Sequence, residues 1–296
     1  MSWTVDEIPD QSGRVVLITG ANSGIGLESA SVLADRGAHV ILGCRDPHKG
    51  AAAQRQIAGS TEVLTIDLSS LASVSEAAEA LGGRQIDVLV NNAGIMAVPQ
   101  EASVDGHELQ FATNVLGPFA LTSLLLDQIT DRVVWVSSMM HRAGKLDLAD
   151  PSFRHHRYNA WRAYSASKLA DLMLSYELQR RLTLAGSTVR SYAAHPGYAQ
   201  TGLQRHTAVL SWPMVHQLES LLKVAQSADQ GALPILYAAT APDLPPGSYV
   251  GPAGFGEMSG PPRIVGSSAA SHDRDAQRTL WSLCEGLTGT SPGLPG

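Results

Sequence analysis

Cysteine is almost absent from this chain, which has 296 residues and contains only Cys44 and Cys284. A disulfide framework needs several cysteines at short spacing, so a small secreted domain held together by disulfides is excluded. The acidic start has no basic segment followed by an apolar run, which predicts no secretory signal. No run approaches the roughly 20 apolar residues that cross a bilayer. These absences predict a cytoplasmic protein with no membrane partner.

Basic and aromatic residues are also scarce. The 21 Lys and Arg against 27 Asp and Glu give a formal net charge of −6, which offers no electrostatic reason to bind nucleic acid. Aromatic residues make up 5% of the chain, whereas apolar residues make up 44%. Because Ala, Leu and Val carry most of the apolar content, the composition suits helices packed on a sheet with a large core.

Short apolar, β-branched runs alternate with helical patterns, and a polar or glycine cluster follows most of the runs. The runs are 14–19, 39–43, 62–66, 86–90, 131–136, 188–194 and 247–251. This alternation predicts a single domain over 1–296: an α/β, doubly wound parallel sheet (Rossmann fold) with its core at 14–251. Ligands of such sheets bind at the carboxyl ends of the strands, where the polar clusters fall.

Two further segments are assigned by their composition. Residues 198–226 contain apolar runs and are predicted to form a small helical substrate lid, which favours an apolar substrate. A helix pair packed on the body is an equal alternative for this segment. Residues 259–296 are rich in Gly, Pro and Ser, and their end, 286–296, is predicted to be flexible.

A glycine-rich loop, Gly-Ala-Asn-Ser-Gly-Ile-Gly, follows the first apolar run. Glycines allow a tight turn and let a pyrophosphate approach main-chain N–H groups at the start of the next helix. The spacing differs from Gly-x-Gly-x-x-Gly, but the flanking strand and helix still predict phosphate binding. The predicted cofactor-binding residues of the loop are Gly20, Asn22, Ser23, Gly24, Ile25 and Gly26.

The residues after the second run bear on the choice between NADP and NAD. An acidic side chain there would accept a hydrogen bond from the ribose 2′-hydroxyl of NAD. The sequence instead has Cys44 as the first residue past the predicted strand, then Arg45, whose guanidinium suits a phosphate, with Lys49 nearby. Asp46 either caps the next helix, which we favour, or contacts the ribose. We expect NADP(H), with NAD(H) as the alternative.

Tyr164 and Lys168 lie four residues apart in a helical pattern, so their side chains are neighbours. A free phenol has a pKa of about 10, and a nearby ammonium favours its ionised form. Two unit charges at about 4 Å attract by roughly 4 kcal/mol at an effective dielectric near 20, before desolvation is subtracted. The pair would bring the tyrosine towards proton exchange near pH 7. Two unrelated surface residues are the alternative interpretation of the spacing alone.

These features follow the order of a known family. The motifs are Thr19-Gly-x-x-x-Gly-Ile-Gly26, Asp67-Leu68, Asn91-Asn-Ala-Gly94, Asn114, Ser138, Tyr164-x-x-x-Lys168 and Pro196-Gly197. Over roughly residues 14–251 the sequence resembles the short-chain dehydrogenases/reductases. Within that family it looks most like the branch of retinol dehydrogenases and protochlorophyllide reductases, which usually prefers NADP.

The resemblance implies a role for each candidate residue. Tyr164 would be the general acid/base, and Ser138 would hold the substrate oxygen. Lys168 would bind the nicotinamide ribose and lower the pKa of the tyrosine, and Asn114 would help position a water that links Lys168 to solvent. The other implied cofactor contacts are Asp67, Leu68, Asn91, Ala93, Gly94, Pro196, Gly197 and, at the carboxamide, Thr201.

Some interpretations stay open at this point. Ser137 is the alternative to Ser138, and His141 and His195 are either proton carriers or, as we favour, structural histidines. The extra segment 139–161 predicts a loop near the site that would disturb helix pairing in dimers, so monomer and homo-oligomer both remain. The paired histidines at 155–156 lack spaced partners, so no metal site is predicted.

The sequence therefore predicts an NADP-dependent oxidoreductase that transfers a hydride between nicotinamide and a small-molecule carbonyl or alcohol substrate. One alternative is a non-catalytic NADPH-binding regulator, which a missing member of the Asn, Ser, Tyr and Lys set would favour. All four are present. Another alternative is a reductase of a conjugated C=C bond.

Overall fold

A computed structural model describes residues 3–198 and 226–296, and its strands form one sheet. The strands are β1 Val15–Thr19, β2 His39–Cys44, β3 Thr61–Thr65, β4 Ile86–Asn91, β5 Ile129–Val136, β6 Arg190–Ala194, β7 Tyr249–Pro252 and β8 Pro262–Ile264. Their order is β3-β2-β1-β4-β5-β6-β7-β8, and all neighbours are parallel except β7 and β8. The predicted doubly wound parallel sheet is confirmed, and the antiparallel β8 is an addition to it.

Helices cover both faces of this sheet. They are α1 Gly24–Asp35, α2 Pro47–Gln54, α3 Leu71–Ala80, α4 Leu109–Gln128, α5 Ala160–Leu184, α6 Ala228–Thr240 and α7 Arg274–Thr288. Successive residues of a strand point to opposite faces, so Leu17 joins one core cluster while Val16 and Ile18 join the other. A strand buried on both faces must be apolar throughout, which explains why these runs were recognisable in the sequence.

Helix α4 has an irregular turn and an unusually apolar composition. A π-helical turn at Ala112–Leu116 carries Asn114, and such turns are frequent at functional sites. Contrary to the expectation that no run is long enough to cross a bilayer, α4 passes that test by length and composition. However, 78% of its apolar window is buried inside the protein, as in a core helix. One such helix is weak evidence for a membrane span, and the absence of a membrane partner stays a prediction.

The C-terminal region contains a helix, α7, where the sequence analysis assigned none. The side chain of Asp273 accepts hydrogen bonds from two main-chain N–H groups of the first turn, and Gly289 ends the helix with a left-handed conformation. Leu287 and Leu294 pack against the main core cluster. The flexibility expected for 286–296 stays a prediction. The lid assigned to 198–226 lies, apart from its two end residues, outside the described residues.

Trp281 of α7 offers a test of how firmly the C-terminal helix is docked. Its side chain is 2% exposed, its ring lies 5.0 Å from that of Phe119, and the guanidinium of Arg181 lies 4.6 Å from its centroid. We expect Trp281→Ala to lower the free energy of unfolding by about 3–5 kcal/mol, because it leaves a buried cavity. Denaturant titration measures the change. Phe255→Ala is the control, since its side chain is 92% exposed, and an equal loss in both variants would contradict the docking of α7.

Candidate active site

The predicted site residues gather at one edge of the sheet. Gly20 follows β1, Asn91 ends β4, Ser138 follows β5 and Pro196 follows β6. Because these strands are parallel neighbours, their carboxyl ends lie side by side. The structure therefore brings together residues that are spread over more than half of the sequence.

The glycine loop approaches the end of β4 so closely that side chains are excluded. Gly20 has a φ of +69°, and a Cβ built on it would lie 2.9 Å from the Cα of Ala93. A Cβ on Gly26 would lie 2.5 Å from both the Nδ2 of Asn92 and the carbonyl oxygen of Gly20. Helix α1 begins at Gly24, and the first N–H groups of a helix have no intrahelical acceptor. These free donors at a crowded, glycine-lined turn fit a dinucleotide pyrophosphate.

Thr19 and Asn92 connect this loop to β4, and the sequence analysis did not single them out as site residues. The hydroxyl of Thr19 accepts hydrogen bonds from the N–H groups of Asn92 and Ala93, each at 3.0 Å. The amide of Asn92 in turn donates to the carbonyl oxygen of Thr19 at 2.8 Å. Both residues lie inside the family motifs named above, so the sequence already contained a reason to consider them. Their hydrogen-bond partners, however, follow only from the pairing of β1 with β4.

The residues after β2 lie differently from the expectation in one respect. Cys44 belongs to β2, so Arg45 rather than Cys44 is the first residue past the strand, and its side chain is exposed. The carboxylate of Asp46 accepts hydrogen bonds from the N–H groups of His48 and Lys49, at 2.9 and 3.2 Å. Asp46 therefore caps α2, as favoured above. Arg45 is left as the exposed charged group nearest to the strand end.

The remaining predicted cofactor contacts lie at successive strand ends. After β3, the side chain of Asp67 accepts hydrogen bonds from the N–H and hydroxyl of Ser69, and Leu68 is buried. Asn91 is buried and donates to the hydroxyl of Thr122 at 2.9 Å. These two polar side chains have structural partners of their own. Thr201 lies outside the described residues.

Tyr164 and Lys168 are buried on α5, with 7% and 5% of their surfaces exposed. The ammonium of Lys168 donates to the carbonyl oxygen of Val136 at 2.9 Å and to Oδ2 of Asp171 at 2.8 Å. A Cβ built on Gly94 would lie 3.5 Å from this ammonium and 3.3 Å from Oδ1 of Asn114. The lysine therefore lies where the carboxyl ends of β4 and β5 meet helices α4 and α5.

Asn114 ties α4 to its neighbours through both ends of its amide. Its Oδ1 accepts from the N–H of Ile95 at 2.9 Å, and its Nδ2 donates to the carbonyl oxygen of Ile95 and the hydroxyl of Ser167. The π-helical turn allows this inward placement of a polar side chain. Asn114 thereby sets the distance between the loop after β4 and helix α5.

The charges around Lys168 differ from the simple tyrosine–lysine pair expected from the sequence. Burial disfavours the ammonium, but the charges of Asp171 and Tyr164 outweigh it, so the pKa of Lys168 is raised. Burial raises the pKa of Asp171 to about 6 against the opposing effect of the lysine. Both hydrogen bonds of the ammonium to described residues go to Val136 and Asp171. Asp171 is a charged residue of the site that the sequence analysis missed, although it stands one turn beyond the lysine.

The two serines after β5 have different surroundings. Ser137 is 2% exposed and donates its hydroxyl to the carbonyl oxygen of Lys168 at 2.7 Å. Ser138 is only half-buried, and its hydroxyl oxygen accepts from the N–H of Met140. That hydroxyl proton remains available to a substrate oxygen, which agrees with the choice of Ser138.

His141 and His195 are both fully buried. Burial, with smaller contributions from His141 and Arg142, lowers the pKa of His195 to about 3, so this ring is neutral near pH 7. Its Nδ1 accepts from the N–H of Gly197, while Nδ1 of His141 contacts the carbonyl oxygen of Ser138 at 2.7 Å. These contacts support the structural interpretation of both rings. Within 3–198 and 226–296, no group of three His, Cys, Asp or Glu is placed to hold a metal.

A sheet of this order with a glycine loop at its carboxyl edge defines a Rossmann-type dinucleotide-binding protein. Residues 14–209 match the family model described as short chain dehydrogenase. The chain belongs to the short-chain dehydrogenase family.

Named relatives and solved structures agree with this assignment. The chain is 43% identical to human retinol dehydrogenase 13 over 208 residues, 67% of this chain and 62% of that protein, so this match spans less than two thirds of the relative. The mouse retinol dehydrogenase 13 is 37% identical over 96% of this chain and 87% of its own length. These similarities confirm the resemblance to the retinol dehydrogenase branch.

Two crystal structures have similar folds over different shares of this chain. One, of an uncharacterised protein from Mycobacterium paratuberculosis, is 47% identical with a TM-score of 0.86 over 98% of this chain and 99% of that one. Another, described as an NAD(P)-dependent gluconate 5-dehydrogenase from Beutenbergia cavernae with NADP bound at low occupancy, is 28% identical with a TM-score of 0.60, covering 77% and 90%. Together the comparisons define an NAD(P)-dependent oxidoreductase that acts on CH–OH or C=O groups.

The contact between Gly26 and Asn92 generates a test of the dinucleotide site. We expect Gly26→Ala to weaken NADPH binding by about tenfold or more, because the new methyl group displaces the loop from the end of β4. Titration followed by NADPH fluorescence measures the dissociation constant. Gly286→Ala is the matched control, since a Cβ there meets no atom within 4 Å. Equal affinities in the two variants would refute the placement of the pyrophosphate.

Proposed function

We propose that this chain is an NADP-preferring oxidoreductase in which Tyr164 acts as the general acid/base for a carbonyl or alcohol substrate. The observation that carries the proposal is the meeting of Gly94, Asn114 and the Lys168 ammonium at the sheet edge, one helical turn from Tyr164. Such a constellation, in a fold that holds a dinucleotide, can combine cofactor binding with proton transfer.

The residues of the site would divide the reaction among them. Bound nicotinamide supplies or accepts the hydride. In the direction of reduction, negative charge develops on the substrate oxygen, and the hydroxyls of Ser138 and Tyr164 would both donate to it, with the tyrosine delivering its proton. The Lys168 ammonium, whose pKa is raised, stays charged and would favour the resulting phenolate. In oxidation the same proton would move back from the alcohol to Tyr164.

Arg45 supports a preference for NADP over NAD. The guanidinium is exposed at the first position past β2, whereas the carboxylate of Asp46 is engaged in capping α2. A guanidinium binds a phosphate through two parallel hydrogen bonds. The adenosine 2′-phosphate would be its partner.

We propose that the substrate is apolar. The names of the relatives and the composition of the predicted lid both support this. Human and mouse retinol dehydrogenase 13 are named for an apolar alcohol. The predicted lid, 198–226, is rich in apolar residues. A cytoplasmic location and the absence of a membrane partner remain part of the same proposal. A substrate panel distinguishes this proposal from its two alternatives. These are a non-catalytic NADPH-binding regulator and a reductase of a conjugated C=C bond.

Tyr164→Phe tests the catalytic role of the phenolic hydroxyl. With a panel of aldehydes, ketones and secondary alcohols, we expect turnover to fall by about 10²–10⁴-fold while NADPH binding is retained, because only the proton donor is removed. Absorbance of NADPH followed over time measures turnover. Tyr176→Phe, on the same helix with its hydroxyl on Ser267 at 2.9 Å, should keep full turnover. Unchanged turnover in Tyr164→Phe would reject the assignment.

Arg45→Ala tests the cofactor preference. A hydrogen bond to a charged group contributes about 1.5–3 kcal/mol, so the KM for NADPH should rise roughly 10- to 150-fold. The KM for NADH should stay within about twofold of the wild-type value, because NADH lacks the adenosine 2′-phosphate. The exposed Arg55 at the end of α2 provides the control variant Arg55→Ala, which removes the same charge. Parallel shifts for both cofactors would show that Arg45 does not recognise the 2′-phosphate.

A further inference from the structure

Asp171 lies one turn beyond Lys168 on α5 and is 3% exposed. Its Oδ2 accepts the hydrogen bond from the lysine ammonium at 2.8 Å, whereas its Oδ1 has no hydrogen-bond partner among the described residues. A buried carboxylate normally fills its acceptor positions with several donors. Among the described residues, the ammonium is therefore the hydrogen-bond partner on which the buried charge of Asp171 depends.

Among residues 3–198 and 226–296, Lys168 is the one cation that acts on the carboxylate of Asp171. Helix α7 presents Cys284, whose buried thiol has a raised pKa and stays neutral, with Glu285 beside it. On α5 itself, Lys168 is the charged group that acts on Asp171, and Tyr164 in turn acts on Lys168. From β5 the contact is the neutral carbonyl of Val136, which shares the ammonium. Among the described residues, the negative charge of Asp171 is thus balanced by the Lys168 ammonium.

The geometry around the lysine shows what this contact does. An ammonium has three N–H donors, and here the acceptors of Val136 and Asp171 occupy two of them. A Cβ built on Gly94, in the loop after β4, would lie 3.5 Å from the ammonium, so the lysine borders that loop. A lysine stem is flexible, so two fixed acceptors on the buried side decide where its charged end lies.

We propose that Asp171 is a positioning residue whose carboxylate holds the ammonium of Lys168 in place for the nicotinamide ribose and Tyr164, and that protonation of Asp171 releases this hold. The inference rests on the proposed function of Tyr164 and Lys168. It adds a residue to the site and a dependence on pH that the four-residue set alone does not contain.

The pH dependence has a definite sign. Because burial raises the pKa of Asp171 to about 6, the carboxylate is charged at pH 8 and becomes protonated as the pH falls through that value. Turnover at saturating cofactor and substrate should therefore fall with the pH between about 7 and 5. Stability should change in the opposite direction. A folded-state pKa above the unfolded value means that this group's contribution to stability decreases as the pH rises from about 4 to 6.

Asp171→Asn is the test, because the amide has the same shape but no charge. At pH 8 we expect turnover to fall about 10- to 100-fold and the decline between pH 7 and 5 to disappear, since the lysine is misplaced at every pH. NADPH affinity at pH 8, measured by fluorescence titration, should weaken about tenfold. Asp171→Glu keeps a carboxylate and should keep the pH-dependent step.

Glu177→Gln is the matched control. Glu177 is a fully buried carboxylate on the same helix, paired with Arg180 and Arg181. Its substitution should lower the melting temperature while leaving the pH profile of turnover and the affinity for NADPH unchanged. If Asp171 had only such a structural role, its substitution would shift melting temperature and not the profile.

Each outcome has a definite meaning. A wild-type turnover profile that is flat between pH 5 and 7 overturns the proposal without any variant. The proposal on Asp171 is also overturned if the decline of turnover between pH 7 and 5 persists unchanged in Asp171→Asn. In that case a loss of turnover in Tyr164→Phe would still support the proposed function. If no carbonyl or alcohol substrate turns over, the proposed function fails and the NADPH affinities at pH 8 decide on Asp171: equal affinities of wild type and Asp171→Asn refute its role.

Discussion

The contact between the loops that follow β1 and β4 is the constraint on which the rest of the site depends. Thr19 holds the N–H groups of Asn92 and Ala93, and Gly26 lies against the Asn92 amide with no space for a side chain. If these two loops moved apart, the N-terminus of α1, which is the predicted pyrophosphate site, would lose its place relative to Gly94. Gly94 in turn adjoins Asn114 and Lys168. The predicted phosphate end and the proposed proton-transfer end of the site are therefore held together by one set of contacts between these loops.

A second feature of the site is a pair of oppositely charged side chains that are almost completely buried. Lys168 and Asp171 are almost fully enclosed, and an enclosed ion pair stabilises a fold only if its geometry satisfies both partners. Here one oxygen of Asp171 lacks a partner among the described residues, and the pKa of this carboxyl is raised by burial to about 6. Such an arrangement is poorly explained by stability alone. It is explained if the pair serves to hold the ammonium beside Tyr164 and the loop after β4.

The elements that the sequence predicted well are those with strong local signals. Strands β1 and β4 are largely buried on both faces, so their apolar runs could be recognised without knowledge of their neighbours. Helix α7 was missed because the Gly, Pro and Ser around it dominated the composition, although Leu280, Trp281 and Cys284 have helical spacing. Asp171 was missed for another reason. A carboxylate three residues after a lysine usually forms a weak surface pair, and only its burial makes it significant.

By itself, the sequence determined the alternation of strands and helices, the glycine loop and the positions of Asn114, Ser138, Tyr164 and Lys168 along the chain. These are local properties, because propensity, periodicity and motif spacing act over a few residues. Only the tertiary structure decided which of two adjacent serines keeps a free hydroxyl, and that Lys168 and Asp171 form a buried pair shared with the carbonyl of Val136. Those outcomes depend on burial and on partners distant in sequence, which exist only after the sheet has brought the strand ends together.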